Sequence, residues 1–207
     1  MQQTKLNTDY RLPITEYRIP NTRSPVTKPT MKSLFTALLI VIAATTYSQT
    51  RVFPAVQRYG GIFEIPYAVE KPDPTMKYNI VVEVERESEK PDSLSWALNN
   101  VARLVNLHVM GGVPKENLNV VIVLHGGATY ITMNNDQYQK KYKKDNPNLG
   151  LFEELSKAGV KIFVCGQSLI NRKVDRSKMV PEVKIATSML TTLTTYQLKG
   201  YALLKFN

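Results

Sequence analysis

The run Val120-Val-Ile-Val-Leu124, followed at once by His125-Gly126-Gly127, decides the fold class. Its five residues are all apolar, and a strand with one wet face would alternate apolar and polar instead. An unbroken apolar run, β-branched in four of its five residues, fits a strand buried on both faces, the position strands take in parallel sheets covered by helices. Working outward, Tyr78-Asn-Ile-Val-Val-Glu-Val84 and Val160 to Val164 read as strands of the same kind, with Lys184 to Ser188 and Tyr201 to Phe206 as two more. Helical spacing separates them. Leu94, Leu98, Val101 and Val105 recur on one face of a helix that Asp92 or Ser93 would cap and Gly111-Gly112 would end. Leu151 to Ala158 gives a short helix stopped by Gly159, and Leu190 to Lys199 gives another. Strands alternating with helices imply crossover connections, so residues 76–207 read as one three-layer α/β sandwich with a mainly parallel sheet.

What precedes this domain has a different character. Residues 31–48, MKSLFTALLIVIAATTYS, carry a positive start at Lys32 and an apolar stretch from Leu34 to Ala44. Thr46 and Ser48 stand at the spacing a signal peptidase needs. The apolar run is shorter than the roughly 20 residues of a spanning helix. It therefore predicts a cleaved signal peptide, export to the periplasm or medium, and no stable membrane span afterwards. Residues 1–30 hold four prolines and no periodicity; they read as disordered or as a start placed upstream of the true one at Met31. Residues 49–75, punctuated by Pro54, Gly60-Gly61, Pro66, Pro72 and Pro74, predict an extended arm with one short strand at Ile62-Phe-Glu-Ile65.

The formal charge of +10 falls to +6 once residues 1–48 are set aside. Part of that excess lies in Lys140-Lys-Tyr-Lys-Lys144, which reads as a solvated helix face beside Asp136 and Asp145 rather than a nucleic-acid patch. Nucleotide binding has no support, because neither a Gly-x-x-x-x-Gly-Lys-Ser/Thr loop nor a Gly-x-Gly-x-x-Gly fingerprint occurs. No Gly-x-Ser-x-Gly elbow appears, which argues against an α/β-hydrolase. With 2 histidines and 1 cysteine the chain cannot supply a zinc-finger set or an intramolecular disulfide. No cofactor and no metal are expected.

Ligands in open parallel sheets bind beyond the carboxyl ends of the strands. Two adjacent runs place reactive residue types there: His125, Gly126 and Gly127 after one strand, and Cys165, Gly166, Gln167 and Ser168 after the next. Sequential strands are usually neighbours, so the two runs are expected to share one edge. Only a thiolate attacks, and a free cysteine near pKa ~8.5 is mostly protonated at neutral pH. Ser168 would cap a short helix through Leu169, Ile170 and Arg172, setting Cys165 before its positive end. Gly166 would let backbone amides approach whatever sits on the sulfur. Buried cysteines are also common as small apolar residues, so packing alone is the other reading of Cys165. His108, before Met110-Gly111-Gly112, reads as a last-turn helix residue rather than a ligand.

Val121-Ile-Val-Leu-His-Gly-Gly127, Leu151-Phe-Glu-Glu-Leu155, Gly159-Val-Lys-Ile-Phe-Val-Cys-Gly-Gln-Ser168 and Tyr196-Gln-Leu-Lys-Gly-Tyr201 together resemble the DsrE/DsrF-like family, including its YchN-type branch. The arm Tyr59 to Pro66 with Lys71-Pro-Asp-Pro74 is similar to exported members of that group. The resemblance implies a DsrE-like, flavodoxin-like α/β sandwich that assembles into homo- or hetero-oligomers, often trimers or hexamers. It further implies that a cysteine carries sulfane sulfur as a persulfide and relays it between a donor and an acceptor protein. Only Cys165 inherits that role. The relays of that family are cytoplasmic, whereas this chain carries an export signal. Two functions follow as expectations: a sulfurtransferase-like carrier acting through Cys165, or a non-catalytic exported oligomeric binding or interaction protein in which Cys165 only packs.

Overall fold

A computed structural model describes residues 49–206. Five strands form one sheet: β1 Tyr78–Val84, β2 Leu118–Leu124, β3 Lys161–Cys165, β4 Val183–Ala186 and β5 Ala202–Phe206. Their order is β4-β3-β2-β1-β5, and every pairing is parallel. The expected mainly parallel sheet is thus parallel throughout.

Chirality explains where the helices go. From β1 to β4 the chain steps across the sheet in one direction, and from β4 to β5 it returns to the far edge. Crossovers between parallel strands are right-handed, so opposite steps put their helices on opposite faces. Helices α1 Trp96–Met110 and α3 Leu149–Lys157 accordingly pack together on one face, while α5 Met189–Leu198 lies on the other. The first face holds the main core, in which Ile80, Val82, Ile122, Leu124 and Val164 meet Leu98, Val101, Leu151, Phe152 and Leu155. Each such side chain, fully buried, contributes about 1.5–3 kcal/mol. The second face is thinner: Val81, Val121 and Val123 meet Leu193, with Phe163, Tyr196 and Tyr201 at the margin.

Several boundaries differ from the sequence reading. Helix α1 is capped by Ser95, not Asp92 or Ser93: the Ser95 hydroxyl accepts from the Leu98 amide at 3.3 Å, and its own amide donates to Asn148 Oδ1 at 2.7 Å. Ser93 instead closes a local turn on Lys90, which leaves Leu94 outside the helix and partly exposed. The fourth strand stops at Ala186, because Ser188 turns to cap α5 through the Leu190 amide at 3.2 Å.

Residues 126–148 hold a 3-10 run at Gly126–Thr132 and helix α2 Asn135–Tyr142, neither of which apolar periodicity announces. Helix α2 is mostly polar and starts on an Asn134 cap to the Gln137 amide at 3.0 Å. The lysines Lys140, Lys141, Lys143 and Lys144 are exposed at its end, as a solvated face requires. Asn146 and Asn148 tie this region together from inside; both are buried and bonded to Ile131, Met133 and each other.

The arm at 49–75 contains no strand of the expected kind; Ile62 makes one antiparallel bridge to Val52 and the pairing goes no further. Side-chain amides on α1 hold it instead. Asn106 Oδ1 accepts from the Ala55 and Val56 amides at 2.9 and 2.8 Å, and its Nδ2 donates to the Tyr59 and Gly60 carbonyls at 3.0 Å each. Asn99 accepts from the Gly60 amide at 2.8 Å. The first half of the arm therefore packs on its own domain. Among the described residues no helix is long and apolar enough to cross a membrane. The signal peptide expected at 31–48 and the segment 1–30 lie outside the described residues.

Candidate functional site

Strands β2 and β3 are neighbours, registered up to Leu124 opposite Val164. His125 and Cys165 are the next residues on each. His125 remains extended, at φ −152° and ψ −173°, and its amide still bonds to the Val84 carbonyl at 3.0 Å. In a parallel pair, residues in register point to the same face of the sheet, and neighbouring strands lie about 4.8 Å apart. His125 and Cys165 therefore sit side by side on the thinner face, in line with Val121 and Val123 on β2 and with Phe163 on β3. The shared edge expected from the sequence is present.

Cys165 is itself the N-cap of helix α4, Gly166–Asn171, with extended backbone at φ −67° and ψ 116°. This corrects the expectation that Ser168 caps the helix; Ser168 lies inside its first turn. The sulfur consequently faces the free end of the turn, as an N-cap oxygen does. Burial, the largest influence, pushes the Cys165 thiol up. The Ser168 hydroxyl and the amides of Met189, Ser168 and Gln167 together outweigh it, and the thiol lies below its ordinary value. No side-chain cap hydrogen bond closes on the sulfur itself. The hydroxyl and the amides act as oriented dipoles that favour the anion.

Glycine is required on both sides of the thiol. Gly126 has φ +54°, the left-handed region that other residues avoid, and a Cβ there would lie 3.0 Å from the Glu85 carbonyl oxygen. A Cβ on Gly166 would lie 2.9 Å from the Ala186 carbonyl oxygen, closer than real Cβ atoms come. The two loops are joined by the Gly126 amide, which donates to Ser168 Oγ at 3.3 Å. Gly127 passes near the Glu87 amide, where a Cβ would stand at 3.1 Å. Gln167 offers its backbone to the sulfur and its side to a groove of about 400 Å³. That groove begins at Gly166 and runs past Ile170, Ile185 and Thr187, and Cys165 does not line it. Cys165 is 4 % exposed.

Three charged residues missed in the sequence, Glu83, Glu85 and Lys205, complete the site. His125 Nε2 lies 2.9 Å from Glu83 Oε1, and Lys205 Nζ lies 3.3 Å from the same oxygen and 3.4 Å from Glu85 Oε2. Glu83 and His125 are both buried. The Glu83 carboxylate, the largest influence, and Glu85 hold the Lys205 ammonium above its ordinary value, while burial opposes them. The signal was available in Ile80-Val-Val-Glu-Val84: an acid inside a strand buried on both faces needs a partner. Glu83, Glu85 and His125 also bring ligand-type atoms within 4.8 Å of one another. The Lys205 ammonium already supplies the positive charge there, so the group is an ion network completed by the chain's own cation. His108, as expected, closes α1: Nδ1 bonds the Leu104 carbonyl at 2.8 Å and the ring packs edge-on against Tyr78.

With the sheet and the Cys-Gly-Gln-Ser turn in place, the comparison with known proteins is direct. The DsrE/DsrF-like family profile matches residues 76–206, and the chain belongs to that family. Among solved structures it is similar to a protein of unknown function from Methanobacterium thermoautotrophicum, at 17 % identity and a TM-score of 0.46, over 62 % of this chain and 99 % of that one. It is also similar to the YchN protein of E. coli, at 20 % identity and a TM-score of 0.45, over 62 % of this chain and 99 % of that one. No curated protein matches the chain significantly.

Proposed function

We propose that this protein is an exported, oligomeric sulfur carrier that holds sulfane sulfur as a persulfide on Cys165. The observation behind this reading is the environment of the thiol: the chain's single cysteine stands at a strand end, with a hydroxyl and three amides turned toward its sulfur and its pKa lowered despite burial. Dipoles arranged in this way favour a thiolate and would equally favour the anion of a persulfide. Loading needs no external oxidant. The Cys165 thiolate attacks the outer sulfur of a persulfide donor, the S–S bond of the donor breaks, and the donor leaves as its thiolate. Unloading is the same exchange, with an acceptor thiolate attacking the outer sulfur and Cys165 leaving. A single sulfur atom suits a thiol with little exposed surface.

Assembly into a homo-oligomer belongs to the same proposal. Its support is the apolar surface outside the core: Leu190 and Leu198 stand two turns apart on α5 and are exposed, as is Trp96 at the start of α1. Such groups are usual at subunit interfaces.

A second reading has its own observation. The 4 % exposure of Cys165 and its absence from the neighbouring groove fit a residue that only packs, in a protein that binds a ligand elsewhere on the strand-end surface. Incubation of the full-length chain with thiosulfate decides between them, because the sulfane sulfur transfers with sulfite as leaving group. The carrier reading expects a +32 Da adduct, about the mass of one sulfur, on Cys165 that disappears in Cys165→Ser and on addition of a thiol acceptor. No adduct with thiosulfate or with a low-molecular-weight persulfide supports the packing reading instead.

A further inference from the structure

We propose that His125 is the acid–base partner of Cys165 and that Glu83 is the residue that positions it. The inference rests on the reading of Cys165 as the sulfur-bearing nucleophile and assigns the group that moves its proton.

Three observations carry it. First, strand register puts His125 beside Cys165 on one face, since both follow the Leu124–Val164 pair and both are extended. Second, the imidazole is oriented through its far nitrogen. An ionised Glu83 has no proton to donate, so at 2.9 Å its Oε1 accepts from Nε2–H, and in the neutral ring Nδ1 then presents a lone pair. Lys205, at 3.3 Å from the same oxygen, supports Glu83 as the anion. Third, Nδ1 has no hydrogen-bond partner among the described residues although the side chain is only 10 % exposed. Nor is Nδ1 sealed in, because Thr129 Oγ1 is the one fully buried side-chain N or O without a partner among those residues. A nearly buried imidazole, with its tautomer set by a carboxylate and its other nitrogen unbonded, on the residue that register places next to the cysteine, has the order nucleophile, base and orienting acid that activated cysteines use.

The proton accounting is closed. Cys165 gives its thiol proton to His125 Nδ1, and the resulting imidazolium is stabilised by Glu83. The thiolate takes the outer sulfur from the donor persulfide, and the leaving donor thiolate recovers the proton from Nδ1. On unloading, the acceptor thiol gives its proton to Nδ1 as it attacks, and Cys165 leaves as the thiolate or recovers that proton. No net oxidation occurs. The charged groups around His125 are Glu83 and Glu85, from β1 and the segment after it, and Lys205 from β5, while register places the titratable Cys165 of β3 as its neighbour.

The test is the pH dependence of iodoacetamide alkylation at Cys165 in full-length wild type, His125→Ala and Glu83→Gln, with thiosulfate loading measured in parallel. General acid–base groups contribute roughly 10²–10⁴-fold, so His125→Ala should be at least about tenfold slower at pH 6 with its midpoint moved upward. Added imidazole should restore part of the rate. Glu83→Gln, which can still accept from Nε2–H but has lost the charge, should fall between the two. Superimposable profiles in folded variants overturn the proposal, whether or not wild type loads sulfur. Separated profiles in a protein that takes no +32 Da adduct leave His125 as the thiol's base and remove the carrier reading alone. Should His125→Ala not fold, NMR titration of the His125 imidazole in wild type and Cys165→Ser replaces it. A shifted midpoint on loss of the thiol is expected, and an unchanged one overturns the proposal.

Discussion

Replacing Asn106 by alanine should detach the arm from the domain. The side chain is fully buried on α1 and serves backbone groups of four arm residues, Ala55, Val56, Tyr59 and Gly60. Of its well-formed bonds, those to the Val56 amide and the Gly60 carbonyl are buried. Each buried polar group left without a partner costs about 1–3 kcal/mol, so these two alone cost about 2–6 kcal/mol if the arm stays in place. The arm can escape that cost by peeling away, which exposes Val56 and Ile62, at about 1.5–3 kcal/mol for each side chain. The cheaper outcome limits the loss, and about 3–4 kcal/mol is the expected value. In a chain of this size that lowers Tm by about 6–16 °C. Thermal unfolding followed by circular dichroism measures the loss, and hydrogen exchange at the Ala55 and Val56 amides shows where it arises. A loss below about 1 kcal/mol with these amides still protected would refute the clamp, since two orphaned buried groups cannot cost so little.

Two further outcomes concern the thiol. Ser168→Ala removes the strongest of the groups that lower the Cys165 pKa and also frees the Gly126 amide. A net hydrogen-bond contribution of about 0.5–1.5 kcal/mol predicts alkylation about 2- to 13-fold slower at neutral pH, with the midpoint moved upward. An unchanged rate would mean that the hydroxyl does not stabilise the anion. The second outcome is in stability. The folded thiol ionises below the unfolded one, so between those two values the unfolded chain binds the extra proton and stability rises with pH. The difference in unfolding free energy between wild type and Cys165→Ser, measured with urea in reductant, should therefore grow as pH rises from the folded toward the unfolded value and level off to a constant on acidification below the folded one. A pH-independent difference would contradict the lowered thiol.

Much of this arrangement is legible in the residues, and the rest is hidden for definite reasons. Unbroken runs such as Val120 to Leu124 announce strands buried on both faces, and their spacing from helical segments dictates crossovers; the parallel sheet follows. That His125 and Cys165 share an edge comes from the same logic. Cap assignments fail where three short polar residues compete: Asp92, Ser93 and Ser95 all suit an N-cap, and the tertiary bond from Ser95 to Asn148 selects the last. Helix α2 is invisible to apolar periodicity because Tyr138 is its single buried residue. The arm reads as extended with a strand, yet its anchor is a side chain 50 residues away on α1, a pairing no local pattern reveals. At the site, Glu83 stands out as a misplaced charge, but its partners His125 and Lys205 are distant in sequence. Only the return of β5 to the edge beside β1 brings Lys205 to it.

The measurement that bears most directly on the central claim is the rate of iodoacetamide alkylation at Cys165 in the native full-length protein as a function of pH. The single cysteine makes the signal unambiguous. The account predicts reaction in the folded state with a midpoint below the ordinary cysteine range near ~8.5, lost as the pH falls through the lowered value. A thiol that stays unreacted until the chain unfolds, or that titrates at or above the ordinary range, would contradict it and leave Cys165 as a packing residue of the strand end.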